Sequence, residues 1–153
     1  MNTFEDLLAR DGRLVYKTKG VSMEPLLRQN RDLVIIQVPV SRLKKYDVAL
    51  YRRGPNYVLH RVIEVKEGFY LIRGDNTYVT ETVPDSNVIG VLSGFLRKKK
   101  KYSVADPGYR CYVRIWCAIY PVRLVFYRLY RLVVRVIRKL GLLPLAKRVL
   151  RKR

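Results

Sequence analysis

The chain has 153 residues, nearly half of them apolar, and 32 Lys/Arg against 12 Asp/Glu give it a formal charge of +20. That length and apolar content allow one ordinary domain with an appendage and exclude wholesale disorder. Residues 1–96 carry 14 Lys/Arg and 11 Asp/Glu, whereas residues 97–153 carry 18 Lys/Arg and the single acid Asp106, so a near-neutral part precedes a tail suited to any polyanionic surface.

Residues 2–12 read as a short amphipathic helix, with Phe4, Leu7 and Leu8 on its apolar side and Asp11-Gly12 as its stop. Charges at Glu5, Asp6, Arg10, Asp11 and Arg13 break up any secretory signal there. Residues 13–96 read as strands: Leu14 to Tyr16, Asp32 to Val38, Asp47 to Arg52, Tyr57 to Val65, Phe69 to Arg73 and Val88 to Phe95 are β-branched or aromatic runs. Arg53-Gly54-Pro55-Asn56, Lys66-Glu67-Gly68 and Arg73-Gly74-Asp75-Asn76 between them have the composition of tight turns. The class is mainly β, with Tyr57–Val65 and Phe69–Arg73 forming a hairpin.

Residues 97–108 read as a basic hinge, with five consecutive cations from Arg97 to Lys101 followed by Asp106-Pro107-Gly108. Residues 109–153 then read as a helical basic tail. Tyr109 to Leu140 is helical apart from Pro121, and Arg128, Arg131, Arg135 and Arg138 fall on one face. A narrow basic stripe beside a broad aliphatic-aromatic face suits a helix lying in a membrane interface. Gly141 and Pro144 are expected to end it, with a short basic segment after them. The longest uncharged run in this part, Ile115 to Val122, is eight residues, against roughly 20 needed to cross a bilayer. Cys111 and Cys117, six apart, make neither a disulfide framework nor a metal site, and no cofactor is called for.

A serine hydroxyl is a poor nucleophile until a neighbouring base takes its proton. The chain has one histidine, His60, whose ordinary pKa lets it accept a proton near neutrality and return it to a leaving amine. Four segments give that pairing a context. Gly20-Val21-Ser22-Met23-Glu24-Pro25-Leu26 resembles the nucleophile box of type I signal peptidases, Ser-Met-x-Pro. Lys45-Tyr46-Asp47-Val48-Ala49-Leu50-Tyr51 is similar to the family's next strand. Tyr57-Val58-Leu59-His60-Arg61-Val62-Ile63 is similar to the strand bearing the general base, with His60 at the position that is Lys in most bacterial members and His in endoplasmic-reticulum-type and archaeal ones. Arg73-Gly74-Asp75-Asn76 resembles the Gly-Asp-Asn box. The boxes occur in family order over roughly residues 19 to 93.

The resemblance implies the β-rich catalytic fold shared by signal peptidases and LexA-type self-cleaving repressors, carrying a C-terminal basic amphipathic helical extension. It implies a serine endopeptidase that cleaves leader or signal peptides through an acyl-enzyme, with small residues at the minus-one and minus-three positions. Ser22 would be the nucleophile and His60 the base and then the acid. The backbone N–H of Ser22 would hold the oxyanion; Gly20 stands where some members place a helping hydroxyl. Asp75 is the first choice for orienting His60, because it lies in the Gly-Asp-Asn box. Glu81 occupies the family's second acidic position, six residues on, and Asp85 is a further alternative. Met23 and Pro25 would shape the loop.

The family normally begins with a membrane-spanning helix that puts the protease outside the cytoplasm. Here the membrane-suited part is C-terminal, and basic segments stay on the cytoplasmic side. The expectation is a peripheral protein on the cytoplasmic face of a prokaryotic plasma membrane, with a precursor protein or leader peptide and the anionic membrane surface as partners and no specific nucleic acid. The rival reading is a catalytically inactive or self-cleaving LexA-like regulatory or binding protein with a polyanion-binding tail. Residues 1–20 are too short for the helix-turn-helix such a regulator would need.

Overall fold

The computed structural model describes residues 3–139; Gly141, Pro144 and the basic segment after them lie outside the described residues. Helix α1 (Phe4–Asp11) starts at Thr3, whose hydroxyl accepts the Asp6 N–H while the Asp6 carboxylate accepts the Thr3 N–H, a reciprocal cap. It stops at Gly12, which takes the left-handed conformation at φ 66°. Eight strands follow among the described residues: β1 (Arg13–Lys17), β2 (Asp32–Gln37), β3 (Val48–Arg53), β4 (Asn56–Lys66), β5 (Phe69–Arg73), β6 (Glu81–Pro84), β7 (Val88–Arg97) and β8 (Lys100–Ser103). They form one antiparallel sheet in the order β1-β2-β7-β3-β4-β5-β6, with β8 paired to β7. Helices α2 (Pro107–Ala118) and α3 (Tyr120–Lys139) complete the described chain, with Pro121 in the first turn of α3, where its missing N–H is not needed.

The central strand β3 is buried from Val48 to Tyr51, because both faces of the sheet carry a core. Val48 and Leu50 join Leu8, Leu14, Leu27, Val34, Ile36 and Leu59 in one cluster. Ala49 and Tyr51 join Leu43, Val62, Tyr70, Ile72 and Val83 in the other. Successive residues point to opposite faces, so the central strands β3, β4 and β7 contribute to both clusters, while β1 and β2 supply only the first and β5 and β6 only the second.

By packing, the chain divides into two compact units, Met1–Arg114 and Ile115–Arg153. Residues 97–108, expected as a hinge, fall inside the first. Arg97 ends β7, and Lys98 and Lys99 turn the chain at φ 47° and 69° into β8. Tyr102 on β8 stacks on Phe95 at 5.1 Å. A two-residue hairpin turn with positive φ normally draws Asn or Gly, so Lys98-Lys99 gave no turn signal. Strand β6 likewise carries a weak sequence signal: Glu81 and Pro84 disfavour a strand, and an edge position tolerates both.

Arg61 is fully buried and bidentate to Asp75, with both bonds at 2.7 Å. It also donates to the Tyr46 carbonyl at 2.9 Å and to the Tyr109 hydroxyl at 3.2 Å. Burial opposes its charge, yet the bonds and charge of Asp75 hold its pKa above the ordinary arginine value. Removing one partner strands the other as a buried, unpaired charge. Asp75→Ala should therefore cost about 3–5 kcal/mol of stability, read as a lower denaturant midpoint, and Arg61→Leu added to it should cost less than the two single changes summed.

Candidate active site

The loop between β1 and β2 carries Ser22. It is pinned from within by Met23, Leu26 and Leu27, all buried in the first cluster, and by the Gly20 N–H bonding the Gln29 side chain at 2.9 Å. It is pinned from outside by the turn after β5. The Asn76 N–H donates to the Ser22 carbonyl at 2.7 Å, and its side-chain amide donates to the Val21 carbonyl at 3.2 Å. Thr77 closes that turn on the Gly74 carbonyl.

Gly74 is where the two candidate catalytic residues converge. A methyl group there would fall 2.6 Å from the Ser22 carbonyl oxygen and 3.1 Å from both Cδ2 and Nε2 of His60. Only a residue without Cβ lets the Ser22 segment and the Nε2 edge of the imidazole press on the same bare backbone. Ser22 is half-buried, and with His60, Met23, Leu27, Val58, Leu59 and Glu81 it lines a cleft of about 830 Å³.

The cleft opens along β4. Strand β5 pairs only with Arg61 to Lys66 of that strand, so residues 56–60 have β3 on one side and the cleft on the other. Tyr16 to Gly20, continuing β1, form part of the lining. Phe4 of α1 closes one end, stacked on Tyr57 at 4.7 Å and packed on Tyr16 at 4.9 Å.

His60 and Arg61 are neighbours on β4 and project to opposite faces. This separates the two carboxylates expected as candidates for orienting His60. Asp75 is on the Arg61 side; its oxygens take both guanidinium bonds, and Tyr112 donates to one of them at 3.3 Å. Glu81 is on the His60 side, with Oε1 3.4 Å from Nδ1. The first choice from sequence, Asp75, is therefore not the carboxylate at Nδ1. Asp85 is not there either, since it pairs with Arg42 at 2.8 Å. Two further groups complete the His60 side, Tyr51 and Arg53. The Tyr51 hydroxyl lies 3.2 Å from Nδ1 and donates to Glu81 Oε2 at 3.0 Å. Arg53 bonds both oxygens of Glu81, at 3.0 and 3.1 Å. Sequence reasoning missed this pair because only the register Ala49↔His60 places Tyr51 and Arg53 on the His60 face.

Cys111 and Cys117 are free thiols on α2. Among the described residues, no group of His, Cys, Asp and Glu could hold a metal ion. No protein-family model and no curated protein matches the chain.

Burial pushes the His60 pKa below its ordinary 6.5; Arg53 acts in the same direction, while Glu81 and Asp75 pull the other way. The ring is thus neutral at pH 7 and available as a base. Between the folded pKa and about 6.5, the unfolded chain binds a proton that the folded chain refuses. The stability contribution is full above about pH 6.5 and is lost as pH falls through the folded pKa. Denaturant unfolding at a series of pH values should show this loss in the wild type and lack it in His60→Gln.

Proposed function

We propose that this chain is a serine endopeptidase of the signal-peptidase type, acting on leader or signal peptides of precursor proteins. The observation that carries the reading is the convergence of the Ser22 segment and the Nε2 edge of His60 on bare Gly74, inside a cleft bordered by a strand edge. The antiparallel sheet with its two clusters is compatible with the signal peptidase/LexA fold, which the same reading adopts.

The chemistry follows from the roles. An extended substrate lies along residues 56–60, bonding their backbone groups. Ser22 Oγ attacks the scissile carbonyl as His60 Nε2 takes its proton, and the Ser22 N–H stabilises the oxyanion. His60 returns the proton to the leaving amine, and a water activated by the same nitrogen releases the acyl group. Glu81 supports the imidazolium that forms in each half-reaction.

The reading includes attachment to an anionic membrane surface, on the cytoplasmic face. Among the described residues no helix is long and apolar enough to cross a membrane. What supports surface attachment is α3. Val122, Val125, Phe126, Leu129, Val133 and Val136 recur at three- and four-residue spacing, and all are exposed, Phe126 at 67%. Arg128, Arg131, Arg135 and Arg138 occupy the other side, and the helix has no acid. Its charge selects an anionic surface, and its apolar arc suits burial at the headgroup boundary.

Incubation with candidate precursor peptides, read by mass spectrometry, tests the peptidase. Ser22→Ala should reduce cleavage to background with an unchanged circular-dichroism spectrum, and His60→Ala should cost about 10²–10⁴-fold. Wild-type activity should be lost as pH falls through the depressed His60 pKa and be flat above it. Cleavage by Ser22→Ala at the wild-type rate would end the proposal, and a rate still climbing through pH 9 would indicate a lysine base.

Flotation with vesicles rich in anionic phospholipid tests the surface. Each Lys/Arg near such a surface contributes about 1 kcal/mol, so replacing Arg128, Arg131 and Arg135 by Gln should weaken partitioning by about a hundredfold. Leu129→Glu with Val133→Glu should abolish flotation. Self-association through α3 in sedimentation, or binding to DNA in place of vesicles, would assign the face to another occupant.

A further inference from the structure

We propose that Tyr51 is the positioning residue of this site: its phenol oxygen receives the Nδ1 proton of His60 and joins the imidazole to the Glu81 carboxylate. The inference rests on the peptidase reading for its consequence, but its geometry stands by itself. Tyr51 lies on β3 two residues after Ala49, the direct partner of His60, which puts it diagonally opposite the ring on the same face. Its side chain is almost entirely buried among the second cluster. Glu81 belongs to a four-residue edge strand and is a quarter exposed.

The distances rank the partners of Nδ1. The phenol oxygen, at 3.2 Å, is the nearer, and Glu81 Oε1 at 3.4 Å is the longer and weaker contact. The protons then follow from counting. A phenol has one hydrogen, and here it goes to Glu81 Oε2, which as a carboxylate only accepts. Toward His60 the phenol oxygen is therefore an acceptor, and Nδ1 must carry the hydrogen. Nε2 is left with its lone pair, on the edge that packs against Gly74 beside the Ser22 segment. Burial, and then the charge of Glu81, keep the phenol pKa above its ordinary value, so Tyr51 keeps this hydrogen throughout the working pH range. In acylation the Ser22 proton moves to Nε2 and back to the leaving amine. The Nδ1 and phenol protons stay where they are. Arg53 fixes the far end through both oxygens of Glu81.

The chain has one histidine, so nitrogen NMR of the ¹⁵N-histidine-labelled full-length protein reads this tautomer without interference. Above the His60 pKa, wild type should show Nδ1 protonated and Nε2 bare. Tyr51→Phe, which deletes one oxygen, should give a tautomer mixture, an acid limb of the pH–rate profile moved to lower pH, and kcat/KM lower by about 10- to 100-fold. Glu81→Gln should cost less in the Tyr51→Phe background than in wild type, since both act through one chain. A wild-type ring protonated at Nε2 would overturn the proposal, and that measurement needs no variant to fold. An unchanged tautomer, acid limb and rate in folded Tyr51→Phe would overturn it equally. The expected tautomer in a protein that cleaves no precursor peptide would keep Tyr51 in place and remove the peptidase reading instead.

Discussion

A guanidinium removed from water must find its hydrogen-bond partners in the protein, and Arg61 makes four such bonds by gathering four segments at once. Asp75 comes from the turn after β5, the Tyr46 carbonyl from the approach to β3, Tyr109 from α2, and Arg61 itself from β4. Buried ion pairs add little net stability against apolar replacements, but they are costly to break. Their use here is placement. Asp75 stands between Gly74, whose bare backbone receives Ser22 and His60, and Asn76, which holds the carbonyls of Val21 and Ser22. The charge pair on one face of β4 thereby sets the geometry on the other.

The period of a strand divides the polar groups as strictly as the apolar ones. Val48, Leu50 and Leu59 face one cluster; Ala49, Tyr51, Val62, Ile72 and Val83 face the other. The titratable groups obey the same parity, with Arg61 and Asp75 on the first side and Arg53, Tyr51, His60 and Glu81 on the second. A one-residue slip of β4 against β3 would exchange His60 for Arg61 and dismantle both sets. The side chains of the second cluster are thus a foundation for the site as well as a core, since Tyr51 presents its hydroxyl from among them.

In the first unit, most apolar strand residues are buried in one cluster or the other. In α3 they recur with the helical period and stay exposed. The same residue types therefore ask for different partners. Valines in β2 and β3 complete a core, whereas those of α3 leave an exposed apolar arc opposite the arginine stripe.

Sequence alone determined what depends on near neighbours. The mainly β class, the helix stopped at Gly12, the hairpin of β4 and β5 and the period of α3 are each set by side-chain alternation or turn chemistry within a few residues. Ser22 and His60 could be singled out because each sits in a contiguous segment that resembles a box of the type I signal peptidases. Tertiary structure decided what depends on register. Tyr51 and Glu81 are 30 residues apart, and Arg61 and Asp75 are 14 apart. Which carboxylate reaches which face follows from the pairings of β3, β4, β5 and β6. Asp75 looked like the partner of His60 because its turn was recognisable; strand parity gave it to Arg61 and brought Glu81 to the imidazole. The β8 hairpin was hidden because Lys98 and Lys99 adopt a turn that their side chains do not favour, stabilised by Tyr102 stacking on Phe95 from the neighbouring strand.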